Sequence, residues 1–437
     1  MAPRERSIVS PVIRPQGWCP GALRPMPSGD GLIVRLRFRG GALLPDLGEA
    51  IAEWSEAFGN GLIDLTNRAN LQLRGVTDET LRQLQDALAQ RGLLDDDPAA
   101  EAVRNVMASP LAGFDPSTLL DIRPCIEALE EALRKDPVFH ALPAKFGFLI
   151  GDGGRLAVAA ERADIAFIAT PSGDSVRFMV YLGGEPAGVC AIEDLVIVAA
   201  RLAQRFLRLR DRDVTLRRMA SLVEKIGLAE LIAPVGLTPL FTESATIVAA
   251  PRPIGHHDLG RYQALGVGVP FGRLTAVTLR TLSEEASKAS GELRLTPWRA
   301  VLVVGESLEA HAGERLREAG LLLDDAAPIS GVAACPGAPA CRSGSTSTHE
   351  DGLAIAPWAR HLGTNGITIH VSGCAKGCAH SRKAPVTLVG RDGRYDLVLN
   401  GRAGDAPSAT RLELPGVMKL LAALAERQLE GARPWRA

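Results

Sequence analysis

Two short segments late in the chain each contain a pair of cysteines. Cys335 and Cys341 lie in CPGAPAC, and Cys374 and Cys378 lie in SGCAKGC, so the spacing is C-x5-C, 32 intervening residues, then C-x3-C. Four thiolates from two loops are the ligand set of a [4Fe-4S] cluster, which takes one sulfur per iron. The small residues between them let the backbone approach such a cluster. The chain must therefore fold so that the two segments meet, and the pattern predicts a protein that transfers electrons.

A zinc site, a disulfide framework and inert thiols are the alternatives to a cluster. Structural zinc is usually held by C-x2-C pairs, which neither segment contains. Disulfide frameworks are typical of small secreted chains, whereas this chain has 437 residues and an odd number of cysteines, seven. The remaining three, Cys19, Cys125 and Cys190, are isolated and are predicted to be small buried apolar residues.

Composition and charge restrict the class of partner. The chain is 46% hydrophobic and 23% charged with a formal net charge of −1, which is typical of a globular protein of several domains. It has no global field that would hold nucleic acid or a membrane, and we expect neither as a partner. No apolar run approaches the ~20 residues of a membrane span. The first dozen residues contain no apolar signal core, so we expect a cytoplasmic protein.

The sequence contains an internal repeat. Residues 61–74, GLIDLTNRANLQLR, match residues 291–304, GELRLTPWRAVLVV, at a glycine, a leucine and a threonine. An apolar segment with a glycine turn and then a helical stretch precede each copy, so each copy predicts strand, helix, strand, which is half of a ferredoxin-like unit. The two halves could pair into one sheet. Chance similarity between two αβ segments is the alternative.

A longer αβ block follows each half-unit. In the first block we predict a helix over 119–133, a strand over 146–150, a hairpin turn at 151–154, a strand over 176–181 and a helix over 192–209. In the second block we predict strands over 385–390 and 395–400. The fold class is therefore α+β, a pseudo-two-fold repeat of ferredoxin-like half-domains and αβ domains. The expected domains are half-domain 1 over 15–80, αβ domain 1 over 81–245, half-domain 2 over 246–307 and αβ domain 2 with the cysteines over 308–437.

Polar and basic residues cluster in the first half of the chain. On a strand, Arg68, Asn70, Gln72 and Arg74 would share one face, which is a poor core face and a good surface for binding carboxylates through bidentate hydrogen bonds. Three further candidates are Arg104, Asn105 and Lys145. A solvated surface charge is the alternative for any one of these residues.

These motifs together resemble the sulfite and nitrite reductase superfamily. The chain contains T-x-R-x-x-x-Q from Thr66, R-N-V from Arg104, L-P-x-K-F from Leu142 and the four-cysteine set, in that order, over about residues 15–430. The resemblance implies a sulfite-reductase-like fold with a [4Fe-4S] cluster beside a tetrapyrrole pocket lined by the basic residues. In the reductases the ring is sirohaem, and the cysteine matching Cys378 bridges the cluster and the sirohaem iron.

One position departs from the reductase pattern. A second lysine that helps to hold the anion usually follows L-P-x-K-F, and here that position is Gly147. This departure, with QGWCPG near residue 18 and HVSGCAKGCAHS around the last cysteines, resembles the branch of the superfamily in aerobic cobalamin biosynthesis. That resemblance implies O₂-dependent hydroxylation of precorrin-3A at carbon 20 with γ-lactone formation. It also implies a mononuclear non-haem iron besides the cluster.

The remaining signals are weaker. A 2-His-1-carboxylate triad is the usual non-haem iron site, but the sequence does not identify its members among eight histidines; His349 and His380 lie near the cysteine segments. No strand-associated G-x-G-x-x-G is present, so we expect electrons from an external donor, an NAD(P)H-linked reductase or a ferredoxin. The alternatives are an assimilatory sulfite or nitrite reductase with bound sirohaem and a non-catalytic electron carrier or tetrapyrrole-binding protein.

Overall fold

The computed structural model describes residues 18–237 except 212 and 214, and residues 252–430 except 364 and 365. Its strands are β1 Met26–Ser28, β2 Gly31–Leu36, β3 Ala42–Leu43, β4 Leu62–Leu65, β5 Leu71–Val76, β6 Val106–Ala108, β7 Phe148–Gly151, β8 Ile165–Ser172, β9 Ser175–Leu182, β10 Glu185–Cys190, β11 Gly255–Leu259, β12 Tyr262–Gly268, β13 Arg273–Thr275, β14 Glu292–Leu295, β15 Ala300–Gly305, β16 Val332–Ala334, β17 Ile369–Ser372, β18 Ala384–Arg391, β19 Arg394–Gly401 and β20 Ala409–Leu412. Its helices are α1 Pro45–Phe58, α2 Asp78–Gln90, α3 Pro98–Val103, α4 Arg123–Lys135, α5 Pro137–His140, α6 Leu195–Arg210, α7 Met219–Ile226, α8 Leu228–Ile232, α9 Ala276–Lys288, α10 Ala312–Glu318, α11 Thr348–Ala359 and α12 Leu414–Glu430.

The two half-domains form two antiparallel sheets that exchange an edge strand. The first sheet has the order β1-β2-β5-β4-β13, and the second has the order β11-β12-β15-β14-β3. Strand β13 comes from the second half-domain and β3 from the first, so each half completes the other's sheet. The expectation of one sheet made from both halves is therefore wrong in detail. The two sheets nevertheless share one hydrophobic core, to which α1 and α9 both contribute.

Hydrogen bonding confirms the internal repeat. Asp64 pairs with Gln72 on β4 and β5, and Arg294 pairs with Leu302 on β14 and β15, so the register of the two hairpins is the same. The turns match as well, because the hydroxyl of the repeat's threonine accepts a backbone N–H two residues later in both copies. Both turns contain one non-glycine residue in the left-handed region, Ala69 at φ 54° and Arg299 at φ 58°.

The two αβ units have the same topology. Strands β6, β7 and β8 are parallel neighbours, and β8, β9 and β10 are antiparallel neighbours. Strands β16 to β20 repeat that pattern in the same order. Each sheet has its own hydrophobic core, built on α4 and α6 in the first unit and on α11 and α12 in the second. Only the second unit carries the four cysteines.

Most predicted elements of the αβ units are present. Helix α6, strands β9, β18 and β19 and the antiparallel pairing around residues 391–394 match the predictions to within a few residues. The predicted helix over 119–133 begins only at Arg123, where Pro124 occupies the first turn. The predicted hairpin at 151–154 is wrong, because β7 and β8 are parallel and residues 152–164 form a crossover between them. Over the residues described, no helix is long and apolar enough to cross a membrane.

Candidate functional site

The cysteine segments follow two adjacent parallel strands. Cys335 comes directly after β16, and Cys374 comes two residues after β17. Because adjacent parallel strands end at the same edge of a sheet, the loops after them meet there. The backbone N–H of Gly373 donates to the sulfur of Cys335 at 3.2 Å, which joins the two loops directly. The two cysteine segments therefore meet, as their spacing requires for a shared cluster, because the strands before them are parallel neighbours.

Glycines make this close approach of the loops possible. A Cβ atom on Gly373 would lie 3.1 Å from the Cα of Gly344 and 3.2 Å from the Cα of Gly337. Gly337 also has φ 63°, in the left-handed region. A Cβ atom at Gly373 would therefore require the two loops to move apart by a few tenths of an ångström.

The four thiols are close enough to influence one another electrostatically. Burial raises the pKa of both the Cys374 and the Cys378 thiols, and the neighbouring cysteines of the two segments raise both further. Cys335 is buried, whereas Cys378 is exposed. Within the described ranges, no three His, Cys, Asp or Glu side chains are grouped tightly enough to hold a single metal ion. The convergence of the two cysteine loops agrees with the cluster that the cysteine spacing predicts, in which each iron takes one thiolate.

Half-domain 1 holds the first cysteine loop in place. The carbonyl oxygen of Ala340, next to Cys341, accepts hydrogen bonds from Arg74 Nη2 at 2.9 Å and from the hydroxyl of Ser28 at 2.6 Å. Arg74 is 2% exposed and also pairs with Asp30 and Asp64 at 2.8 and 2.9 Å. Burial opposes the charge of Arg74, but the two carboxylates outweigh it and raise its pKa. Arg74, predicted to bind substrate carboxylates, is thus saturated by protein groups.

A second group of arginines keeps donors without a partner among the described residues, although one member, Arg37, pairs with the buried Glu101 at 3.2 Å. Arg35 on β2, Arg37 just after it and Arg68 in the β4–β5 turn lie close together around the thiol of Cys19. Burial, followed by the charge of Arg37, lowers the pKa of Arg35 to about 10. Burial likewise lowers the pKa of Arg37 and of Arg68. Arg37 Nε and Arg68 Nη1 are buried and have no hydrogen-bond partner among the described residues.

We call Arg35, Arg37, Arg68 and Gln72 the arginine pocket. The side-chain oxygen of Gln72, in the orientation that satisfies its neighbours, accepts from Arg35 Nη2 at 2.9 Å and Nε at 3.3 Å. The predicted common strand face is only partly correct, because β5 begins at Leu71 and Arg68 therefore lies in the preceding turn. Sequence reasoning missed Arg35 and Arg37. Their signal is the alternation of arginine with apolar residues in LIVRLRFR.

The basic residues predicted as candidates differ in their hydrogen-bond and ion-pair partners. Arg68 Nη2 donates to the carbonyl oxygen of Lys145, whose side chain is exposed. Arg104 is engaged with Asp95 at 2.8 Å, and its more distant ion pair with Glu130 is 3.9 Å long. Arg68 and Lys145 therefore lie at the pocket, whereas Arg104 is paired with protein carboxylates.

The two asparagines among the predicted residues are buried. Asn70 takes part in the turn that begins at Thr66: its backbone N–H donates to the Thr66 hydroxyl at 3.1 Å. Asn105 has a side-chain oxygen without a hydrogen-bond partner in the part of the chain that the structure describes. Their role in substrate binding stays a prediction.

Two histidines near the cysteine loops, the half-buried His349 and the buried His370, lie near arginine side chains. His349 stacks on Phe271 with ring centroids 4.7 Å apart, and burial followed by the charge of Arg273 lowers its pKa to about 4. Burial, then the neighbouring His380, lowers the pKa of His370 to about 4. Both imidazoles are therefore neutral near pH 7.

Comparisons with known proteins agree with this architecture. A family described as the nitrite/sulfite reductase ferredoxin-like half domain matches residues 24–91 and 254–312. A second, described as the nitrite and sulphite reductase 4Fe-4S domain, matches residues 99–239, which is the first αβ unit and does not include the four cysteines. The solved structure of the Mycobacterium tuberculosis NirA protein superposes with a TM-score of 0.72 at 21% identity, covering 93% of this chain and 82% of that one. The fold is therefore that of the nitrite and sulfite reductases.

Sequence similarity defines the family more narrowly. A precorrin-3B synthase from Sinorhizobium sp is 32% identical over 414 residues, which cover 90% of this chain and 85% of that protein. A ferredoxin–nitrite reductase from Synechococcus elongatus is 28% identical over 87% of this chain and 82% of that protein. The chain belongs to the precorrin-3B synthase family, within the nitrite and sulfite reductase superfamily.

Proposed function

We propose that the chain catalyses the O₂-dependent hydroxylation of precorrin-3A at carbon 20, with γ-lactone formation, in aerobic cobalamin biosynthesis. The observation that carries this proposal is the arginine pocket, a group of buried guanidinium groups with unpartnered donors in the half-domain that holds the first cysteine loop. The similarity to a precorrin-3B synthase supports the choice of substrate.

The pocket suits a ligand with several carboxylates. Guanidinium groups bind carboxylates through two parallel hydrogen bonds, and such charge-assisted bonds strengthen where water is excluded. Burial is the main cause that lowers the pKa of Arg35, Arg37 and Arg68, and repulsion from Arg37 lowers the pKa of Arg35 and of Arg68 further. Acetate and propionate groups of a bound tetrapyrrole would offset that repulsion and supply acceptors for the Arg37 Nε and Arg68 Nη1 groups.

The [4Fe-4S] cluster beside this pocket would be held by the four thiolates of Cys335, Cys341, Cys374 and Cys378. When bound, the cluster supplies single electrons for the reduction of O₂. The polypeptide supplies the rest: Arg74 fixes the first loop through Ala340, and the Gly373 N–H hydrogen bond fixes the second loop against the first. The electrons would come from an external donor, a ferredoxin or an NAD(P)H-linked reductase.

Gly147 favours this reaction over the reduction of a small anion. A Cβ atom at Gly147 would lie 3.9 Å from both Cζ and Nη2 of Arg68, so this position faces the arginine pocket. A lysine here would place a second cation beside Arg68, as a small anion requires, whereas glycine leaves that volume to the ligand. Sirohaem-dependent reduction of nitrite or sulfite is the second candidate, because the nitrite reductases share the same fold.

Turnover with isotopically labelled oxygen tests the proposal. The purified protein is incubated with precorrin-3A, a reductant and ¹⁸O₂, and the product is analysed by mass spectrometry. One labelled oxygen atom should enter the product, while the second leaves as water with two electrons and two protons from the donor. Incorporation of oxygen from water would reject an O₂-dependent hydroxylation. No product while the cluster is intact would favour a non-catalytic electron carrier or tetrapyrrole-binding protein.

An absorption spectrum separates the two enzymatic candidates. The proposed enzyme should show only the broad visible absorption of an iron–sulfur cluster when purified without substrate. Intense Soret and visible bands together with turnover of nitrite or sulfite would instead establish the sirohaem reductase.

A further inference from the structure

Each half-domain places an arginine against one of the two cysteine loops. In half-domain 1, Arg74 donates to the carbonyl oxygen of the residue that precedes Cys341. In half-domain 2, Arg299 lies in the turn between β14 and β15, and its Nη2 donates at 2.8 Å to the carbonyl oxygen of Ala379, which follows Cys378. Two guanidinium groups therefore lie beside the loops that would hold the cluster.

The two guanidinium groups differ in what compensates their charge. Arg74 pairs with the carboxylates of Asp30 and Asp64. Arg299 forms no ion pair with any residue that the structure describes, and burial alone lowers its pKa. A charge removed from water without a partner is costly, whereas a bound anion offsets that cost. The fold thus leaves one uncompensated positive charge at the cysteine loops.

The titratable side chains around Arg299 do not supply the missing negative charge. The charge of Arg299 contributes to the lowered pKa of His349, His370 and His380, although burial is the largest cause for each. These imidazoles are neutral or cationic, so none of them can balance a guanidinium group. A [4Fe-4S] cluster with four thiolate ligands is anionic, and each electron that it accepts adds further negative charge. Such a cluster is the counter-charge that suits this position.

We propose that Arg299 is the counter-cation of the cluster, and that its charge stabilises the reduced cluster and so raises its reduction potential. A neighbouring cation favours the oxidation state with more negative charge, and salt screens partly buried charges only weakly. Net charge and hydrogen bonds are among the factors that set the potential of an iron–sulfur cluster. Arg299 is thus a positioning residue. The inference rests on the cluster of the proposed function but not on the reaction with precorrin-3A.

Redox titration of the cluster-loaded protein, monitored by electron paramagnetic resonance of the reduced cluster, tests the proposal. Arg299→Gln keeps an N–H donor for the carbonyl oxygen of Ala379 but removes the charge. The equilibrium constant for one-electron reduction should fall about tenfold, which is a shift of about 59 mV to a more negative potential. Arg299→Lys retains the charge, and its potential should stay near that of wild type.

Arg360→Gln is the matched control. Nη2 of this exposed arginine also donates to a backbone carbonyl, that of Ala326, at 2.9 Å. Helix α11 begins at Thr348, whose hydroxyl donates to the carbonyl oxygen of Cys335, and its 12 residues span about 18 Å before Arg360 follows. Loss of this distant and solvated charge should leave the potential unchanged.

An unchanged potential in Arg299→Gln would overturn the proposal, as would an equal shift in Arg299→Lys or in Arg360→Gln. If Arg299→Gln does not keep its cluster, acid-labile sulfide decides the question. Sulfide retained in Arg299→Lys alone supports a requirement for positive charge, whereas its loss from both variants makes Arg299 a structural residue and overturns the proposal. All these measurements are made without precorrin-3A and O₂, so failure of the proposed reaction would not be mistaken for failure of this inference.

Discussion

The two half-domains have the same strands in the same register, yet among the described residues the position of Arg35 in the first is occupied by a glycine in the second. In the repeat, Arg35 corresponds to Gly266, because each pairs with the equivalent residue of the neighbouring hairpin strand, Gln72 in one copy and Leu302 in the other. A Cβ atom on Gly266 would lie 1.6 Å from the carbonyl oxygen of Pro253, so backbone covers the second face. The same backbone arrangement therefore forms a ligand pocket in half-domain 1, where this position is an arginine. It forms a closed face in half-domain 2, where a glycine lets the backbone around Pro253 pack against the sheet.

The same contrast holds where each half-domain meets an αβ unit. Arg74 contacts the cysteine loop of the second unit through Ala340. Its counterpart, Val304, lies in an apolar cluster with Leu111 of the first unit. The first unit has no cysteine in that loop, and an apolar contact closes the interface. The pseudo-two-fold repeat thus gives two interfaces with a similar backbone, and the side chains at each determine which one is functional.

The largest expected effect comes from removing a cluster cysteine. Cys341→Ala should abolish the visible absorption and the acid-labile sulfide, because a cube requires a thiolate for each iron. Cys125→Ala is the control, since Cys125 packs against the core of the first αβ unit. Absorption spectroscopy and sulfide analysis make the measurement. A full cluster in Cys341→Ala would show that the second unit does not hold it through this residue.

Breaking the polar contact between half-domain 1 and the cysteine loop should come next. Arg74→Leu leaves Asp30 without its cation and Asp64 with Arg273 alone, so the free energy of unfolding should fall by about 3–5 kcal/mol. Val304→Ala, at the equivalent position, removes only apolar contacts and should cost about 1–3 kcal/mol. Denaturant titration of both variants measures the difference. Equal losses would mean that the two interfaces are energetically alike.

Removing one arginine of the pocket should weaken ligand binding rather than folding. Arg68→Ala should reduce the affinity for precorrin-3A by about 10- to 100-fold, which corresponds to a charge-assisted hydrogen bond of about 1.5–3 kcal/mol. The cluster absorption should remain. Arg82→Ala, an exposed arginine of the same half-domain, should bind as wild type does. Anaerobic binding titrations provide the affinities, and unchanged binding by Arg68→Ala would make this arginine a structural residue only.

The smallest predicted effect concerns pH. The pKa of His349 is about 4 in the folded protein, below its ordinary value of 6.5. The unfolded chain therefore takes up a proton first as the pH falls, so the stability that neutral His349 contributes is present above about pH 6.5 and is lost towards pH 4. His349→Gln should reduce the loss of stability between about pH 7 and about pH 5 by about 1–2 kcal/mol. Denaturant midpoints at both pH values test this, and identical pH slopes in the two proteins would contradict it.

Local patterns in the sequence predicted many of the helices and strands. Apolar periodicity located helix α6 and strands β9, β18 and β19, because burial of one face determines both the element and its orientation. The crossover between β7 and β8 was not predictable from GDGG at 151–154, since the turn residues favour a hairpin as much as a loop. The exchange of edge strands β3 and β13 was equally inaccessible, because these strands are too short to carry a pattern.

The sequence by itself determined that four cysteines must converge, that the chain repeats and that its first half is rich in arginine. Only the tertiary structure decided which arginines remain available. Arg74 is neutralised by Asp30 and Asp64, and Arg104 by Asp95. Arg35 instead contacts Gln72, Arg68 donates to the carbonyl oxygen of Lys145, and Arg37 pairs with Glu101 but keeps a buried Nε without a partner among the described residues. The physical reason is that a side chain's charge is compensated by whatever folding places beside it. For Arg74 that includes a carbonyl group 266 residues away in the sequence.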